Sequence, residues 1–341
     1  MIKRKTKKSK INFWKKLKKP FFCLAPMSDV TDVAFRYMLA KYGKGKQNKE
    51  KVVFWTEFVS ADGLCHKEGR KNLMHILKFS KIEKPIVVQV FGANPVNMEK
   101  ACRLISKIGL PAQAGFDGID INMGCPDKSV IRQGAGSALI RTPALAREII
   151  KAAIAGANGL PVSVKTRVGF NKEEIDTWIP ELLKEDISAL TIHARTKKEM
   201  SAVPANWAYV KRVVELVKKN RKKILVIGNG DVKSLAEGRK RISETGCDGV
   251  MIGRGVFGNP WFFSETTPNP LLRKAGERAS ALVEHIKIFD KELLKTGDKT
   301  FAVMKKHFKA YINGFDGAKE LRIKLMEAKN PKQAISILTT L

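Results

Sequence analysis

The chain has 341 residues, 44% of them hydrophobic, and its 64 Lys and Arg outweigh 33 Asp and Glu for a net charge of +31. That length accommodates one large domain with an appendage, or two ordinary domains, and no apolar run approaches a membrane span. Five cysteines (Cys23, Cys65, Cys102, Cys125, Cys247) without a C-x-x-C pair argue against a disulfide framework or a zinc site, so a cytoplasmic chain that meets a polyanion, nucleic acid first, is expected.

In chain order, residues 1–20 carry ten Lys or Arg and no acid, and are expected to form a disordered basic arm. Eight apolar, β-branched-rich runs then follow: FFCLA (21–25), VVFWTEFV (52–59), PIVVQVF (85–91), GIDINM (118–123), PVSVKTRV (161–168), ALTIHA (189–194), ILVIG (224–228) and GVMI (249–252). Helix-like stretches such as NPVNMEKACRLISKIG and TPALAREIIKAAIAG separate them. Eight strand-helix units close a (β/α)8 TIM barrel, predicted over 21–262. GKGKQNKEK at 43–51 reads as an exposed insertion, and NPWFFSETTPNP as a proline-punctuated linker. Beyond it only helical periodicity remains, predicting a small all-helical domain over 268–341. Leu282, Ile286, Phe289 and Leu293 form one apolar stripe; Met304, Phe308, Tyr311 and Phe315 form another on a helix over 304–315, with Lys305, Lys306 and Lys309 on its opposite face.

The active site of such a barrel gathers at the C-terminal strand ends. There the sequence places Pro26-Met27-Ser28, Gln89, Asn122 with Cys125 beyond it, Lys165 and Arg167, His193 and Arg195, Asn229-Gly230-Asp231, and Gly253-Arg254. Strand residues alternate in direction. Val162, Val164, Thr166 and Val168 therefore face the helices, and Ser163, Lys165 and Arg167 face the lumen, which reads as polar. A cation turned inward is costly unless something anionic meets it. Asp120 can answer for one or two of Lys165, Arg167, His193, Arg195 and Arg254, not for all five. The glycine-rich turns GNGD and GRGVFGN suit a phosphate held by backbone N–H groups.

These residues resemble the tRNA-dihydrouridine synthase family. APMSDVTDVAFR, TEFVSADGL, VQVFGANP, GFDGIDINMGCPDKSVIRQGAGSALIRTP, VSVKTRVG, TIHART, GNGDV and GVMIGRGVFGNPWFF stand in that family's order over about 21–263, continuing more weakly through KKHFKAYINGF. The resemblance implies FMN, NADPH or NADH as reductant, and tRNA as partner, with no stable protein partner. By motif position it implies that Pro26, Met27 and Ser28 line the flavin, with Gln89 and Lys165 on its ring and ribityl edge. It implies that His193, Asn229, Gly230, Asp231, Gly253 and Arg254 hold the ribityl chain and phosphate. Cys125 is implied as proton donor, Asn122 and Arg195 as facing the target nucleotide, and Lys305, Lys306 and Lys309 as RNA contacts. Ala194, where the family commonly has glycine, and the segment MSAVPANW depart from its pattern.

Reduction of a uracil C5–C6 bond needs a hydride at C6 and an acid on the opposite face for C5. A thiol with an ordinary pKa of about 8.5 stays protonated at neutral pH and can serve. A lysine near a flavin's N1–O2 edge favours the anionic reduced form, and a base inside a tRNA fold must be swung out to reach a barrel lumen. Two other readings are open on the residues alone. One is a flavin barrel acting on a small molecule, in the manner of a dihydroorotate dehydrogenase or ene-reductase; the other is a non-catalytic RNA-binding protein.

Overall fold

The computed structural model describes residues 12–43, 52–108, 115–264 and 274–339. The chain runs β1 (Phe21–Leu24), α1 (Val33–Gly43), β2 (Val52–Ser60), α2 (Ala61–Cys65), α3 (Lys67–Leu73), β3 (Ile86–Phe91), α4 (Pro95–Ile105), β4 (Gly118–Met123), α5 (Lys128–Arg132), α6 (Pro143–Gly156) and β5 (Val162–Arg167). It continues through α7 (Ile175–Leu183), β6 (Ala189–His193), α8 (Trp207–Lys219), β7 (Leu225–Asn229), α9 (Leu235–Thr245) and β8 (Gly249–Ile252). The strands pair in sequence order and in parallel, and β1 also pairs with β8, closing an eight-stranded (β/α)8 barrel. Each strand lies within two residues of its expected span. After it come α10 (Ala275–Phe289), α11 (Lys305–Tyr311), α12 (Ala318–Glu327) and α13 (Pro331–Leu338). No helix among the described residues is long and apolar enough to cross a membrane.

Alternation sorts each strand. Ile119, Ile121 and Met123 of β4, with Val162 and Val164 of β5, enter the core between barrel and helices. The lumen itself is divided. Its lower half is apolar, built from Phe21, Cys23, Val53, Trp55, Val87, Ala189, Ile227 and Met251. The expectation of a polar lumen therefore holds only for the upper half, where side chains need not pack against one another.

The lower half is closed by residues expected to be disordered. Asn12 accepts from Trp14 N at 3.1 Å, starting a 3-10 turn over Phe13–Lys16, and donates to Ser188 Oγ at 3.0 Å. Trp14 is 3% exposed, its ring 5.8 Å from Trp55 and 6.0 Å from Phe21. An indole buried this way contributes on the order of 3–5 kcal/mol, enough to hold 12–20 against the barrel and correct the arm's extent. Residues 1–11 of that arm, and the insertion at 44–51, lie outside the described residues.

The expected linker begins inside a core. Phe262 and Phe263 pack with the barrel, while Trp261 packs with the C-terminal helices and the outer face of α1. The stripe Leu282, Ile286, Phe289 and Leu293 is fully buried there. The second stripe is interrupted: Met304 ends a 3-10 turn over Phe301–Met304, and α11 stops at Tyr311, short of Phe315. Lys299 joins the two parts. Its ammonium, 6% exposed, lies 2.9 Å from both Glu57 oxygens and 3.8 Å from Asp32. Glu284 of α10 adds contacts to Lys41 at 2.5 Å and Tyr42 at 2.7 Å.

Candidate active site

At the C-terminal ends of the strands a cavity of about 730 Å³ opens above the apolar floor. Its wall brings together Pro26, Met27, Ser28, Gln89, Asn122, Cys125, Lys165, His193, Arg195, Asn229, Gly230, Asp231, Gly253 and Arg254. Lys305, Lys306 and Lys309 do not line it. On α11, Lys306 and Lys309 are exposed and Lys305 is half-buried, while His307, Phe308 and Tyr311 face inward.

One hydrogen-bond chain runs from the lumen to the Cys125 loop. Parallel register sets Gln89 beside Asp120, and Asn122 beside Lys165. Asp120 accepts from Ser163 Oγ at 2.6 Å and from Gln89 Nε2 at 2.7 Å. That fixes the Gln89 amide, whose oxygen then accepts from Asn122 Nδ2 at 2.9 Å. Asn122 in turn must point its oxygen outward, where it accepts from Gly124 N at 3.1 Å and Cys125 N at 2.9 Å. A carboxylate can only accept, so its presence orients every amide after it. Burial pushes Asp120 up to about 6, against the bonds from Gln89 and Ser163 and the charge of Lys165.

The loop is held from below as well. Cys125 O accepts from Ser137 N at 3.1 Å, and a Cβ at Gly136, whose φ is +60°, would come within 2.8 Å of Val130 Cγ1. The Cys125 thiol is half-buried. Burial raises its pKa above the ordinary thiol value, outweighing the Asp127 N–H and the charges of Arg167 and Lys165. It is protonated at neutral pH on stronger grounds than an unperturbed thiol would be.

The cations behave differently from one another. Arg167 is spent on the scaffold: it donates to the carbonyls of Gly124 at 2.8 Å, Thr196 at 3.0 Å and Met200 at 3.2 Å, tying three loop positions together. Arg195 is 2% exposed; it donates to Val203 O at 2.6 Å and forms a short ion pair with Asp231. Asp231 also accepts from Ala205 N at 2.8 Å and from Arg254 Nη2 at 3.1 Å. Arg195 Nη1 lies 3.2 Å from His193 Nε2. A guanidinium can only donate, so Nε2 is the acceptor and Nδ1 carries the hydrogen. Burial, then Lys165, Arg167, Arg195 and Arg254, hold the His193 pKa well below its usual value, keeping the ring neutral.

Lys165 remains. Among the described residues it has no ion pair, and burial followed by the nearby Arg167 lowers its pKa to about 8. Across the β5–β6 pairing sits Thr191, whose buried hydroxyl has no partner among the described residues. Sequence reasoning did not single out Thr191, although its alternation with Leu190 and Ile192 places it on the lumen side. Nor did it single out Phe58, Met200 or Lys233, which also line the cavity. Gly230 accepts close packing, since a Cβ there would meet Ala205 Cβ at 2.6 Å and its φ is +140°.

A family model described as dihydrouridine synthase matches residues 23–341. A probable tRNA-dihydrouridine synthase 2 of Bacillus subtilis (strain 168) is 40% identical over 328 residues, 96% of this chain and 95% of that protein. A probable tRNA-dihydrouridine synthase of Staphylococcus aureus (strain COL) is 38% identical over 330 residues, covering 96% of this chain and 95% of its own. Among solved structures, a 2-naphthoyl-CoA reductase complex is similar at TM-score 0.52 and 10% identity, over 72% of this chain and 49% of that one, a likeness of fold alone.

Proposed function

The chain belongs to the dihydrouridine synthase family, and from that premise we infer how its cavity works as an oxidoreductase that reduces uridine in tRNA to 5,6-dihydrouridine. The residues fit FMN. Lys165 offers an ammonium with no ion pair, Thr191 a hydroxyl without a partner, and Met27 and Met251 an apolar patch for a flat ring. Bound and reduced, FMN supplies the hydride for C6 of uracil. Gln89 and Lys165 would hold its ring and ribityl edge; His193, with Nδ1–H as donor, and the turns Asn229-Gly230-Asp231 and Gly253-Arg254 would hold the ribityl chain and phosphate. Pro26, Met27 and Ser28 close that side. In this reading the Asp231 carboxylate organises Arg195 and Arg254, and the backbone of the Asn229-Gly230-Asp231 turn would meet the phosphate. NADPH or NADH enters the same cavity in turn.

Cys125 holds the proton for C5. The observation that carries this is a half-buried thiol, raised above its ordinary pKa, on a loop whose N–H groups are fixed by Asn122. Asn122 and Arg195 lie toward the target nucleotide, and the exposed Lys306 and Lys309, with Lys305, contact tRNA phosphates from α11. The chain works in the cytoplasm, where its substrate is.

The test is single-turnover oxidation of prereduced enzyme by unmodified tRNA. Cys125→Ala is expected to retain FMN and tRNA but form dihydrouridine roughly two to four orders of magnitude more slowly, the usual share of a positioned acid. Cys125→Ser is also slow, because a hydroxyl is a far weaker acid. Near-normal product formation in either variant overturns the assignment.

A further inference from the structure

The sequence carries more positive charge than the cavity uses, and the fold concentrates part of it far from the cavity. Two basic segments meet at the N-terminal ends of the strands. The first, just before β1, exposes Lys15, Lys16, Lys18 and Lys19. The second, the turn from α8 into β7, exposes Lys218, Lys219, Arg221, Lys222 and Lys223. Ser188, at the foot of β6, joins them: its hydroxyl accepts from Asn12, and its carbonyl accepts from Leu225 N at 3.2 Å. Trp14 and Leu225 share the apolar cluster that closes the barrel floor.

Carboxylates on this face do not neutralise it. Asp248 is 2.6 Å from Lys19, and Glu185 is engaged with Arg147 at 2.8 Å, leaving the exposed Asp186 and, one turn back on α8, the exposed Glu215. Among the described residues none of Lys15, Lys16, Lys18, Lys218, Lys219, Arg221, Lys222 and Lys223 forms an ion pair. Holding so many like charges together costs stability through mutual repulsion. The opposite end of the strands, where the cavity opens, is about five residues or roughly 17 Å away. A nucleotide inserted in the cavity does not touch this face.

We propose that the N-terminal face of the barrel is a second RNA-binding surface, gripping phosphates of an RNA segment other than the one that enters the cavity. A lipid surface is the weaker match, because interfacial binding inserts large apolar side chains. The exposed large hydrophobics (Met74, Ile82, Val96, Met200, Val203, Ile323, Met326) all lie outside these two segments. Lysines without planar partners read no base, so the grip is on backbone charge and independent of sequence. This extends the tRNA reading to a separate surface and does not depend on the role of Cys125.

The test uses the full chain carrying Lys218→Glu, Lys219→Glu, Lys222→Glu and Lys223→Glu together, leaving Arg221, whose φ is +52°, in place. Labelled oligo(A), which offers the cavity no uracil to reduce, is titrated by fluorescence anisotropy in the absence of tRNA. Wild type is expected to bind both RNAs. The variant should bind oligo(A) at least tenfold more weakly at 0.1 M salt, with a log K against log salt slope smaller by about three. Its dihydrouridine formation at saturating tRNA should match wild type. Unchanged oligo(A) affinity and slope in the variant overturns the second surface. Loss of turnover at saturating tRNA in the variant overturns its separateness. Tighter binding of wild type to phosphatidylserine vesicles than to oligo(A), lost in the variant, overturns RNA as the occupant. Wild-type turnover reports on the family reading independently of all of these.

Discussion

Gln89→Glu tests the hydrogen-bond chain by making it depend on pH. In the native protein Gln89 Nε2 donates to Asp120 at 2.7 Å while Gln89 Oε1 accepts from Asn122. A carboxyl in place of the amide has nearly the same shape, and when protonated it reproduces both bonds: its O–H donates to Asp120 and its other oxygen accepts from Asn122. Ionised, it faces the Asp120 carboxylate. Two unit charges about 4 Å apart repel by about 4 kcal/mol at an effective dielectric of 20, or about three pK units. Asp120 already stands at about 6, mainly through burial. The pair therefore shares one proton up to roughly pH 8–9. Below that window the folded state binds more protons than the unfolded one, and the new carboxyl is tolerated. The variant's stability therefore falls from the unfolded carboxyl value of about 4 up to this window, and as pH rises through it the folded pair ionises and the Asn122 cap on Cys125 loosens. The assay is the ratio of variant to wild-type dihydrouridine formation from pH 6.5 to 9.5, with thermal melts at each pH. The ratio should be near unity at pH 6.5 and fall at least tenfold by pH 9.5, with melting temperature falling alongside. A ratio constant across this range refutes the coupling.

Lys165→Ala should weaken FMN binding to the apoprotein at least tenfold at pH 7. Because the Lys165 pKa is lowered to about 8, its charge is present below that value and lost above it; wild-type FMN affinity, read by flavin fluorescence quenching, should fall as pH passes 8 while the variant's profile lacks this step. Equal affinities and parallel profiles would remove Lys165 from the site. Lys299→Met leaves Glu57 and Asp32 buried without their cation, a loss of about 3–5 kcal/mol, seen as a lower melting temperature at pH 7 that partly recovers as pH falls and the carboxyls protonate. An unchanged melting temperature would show that this ion cluster does not hold the helices to the barrel.

The barrel was legible because strands buried on both faces leave continuous apolar runs, and period-two alternation separates Lys165 and Asn122 from their helix-facing neighbours. Partners distant in sequence were not legible. Asp231 meets Arg195 from 36 residues away, and nothing in GNGD says that its acid turns back toward TIHART. The Gln89–Asp120 bond depends on strand register, which alternation alone leaves open. Trp14 was hidden by its neighbours: ten basic residues made 1–20 look like one solvated arm. The local signal was Asn12 ahead of Phe13 and Trp14, a capping residue before two aromatics.

Counting inward cations in the sequence overstates the charge that the cavity offers a ligand. Arg167 is absorbed by three carbonyls, Arg195 and Arg254 by Asp231, and His193 is neutral. Among the described residues only Lys165 of those five faces the cavity without a fixed counter-group. The others are committed to geometry, which a site must have before its ligand arrives if charge stabilisation is to require no reorganisation. Arg167 and Asn122 illustrate the division: one holds Gly124 by its carbonyl, the other by its N–H, and the thiol of Cys125 follows from that grip. Lys165 is the buried ammonium of the cavity that has no ion pair among the described residues, with a pKa low enough for its charge to change near neutrality. An arginine at that position would neither lose its proton near pH 8 nor present a compact point charge on a flexible stem, so Lys165 gives the cavity a cation whose charge can respond.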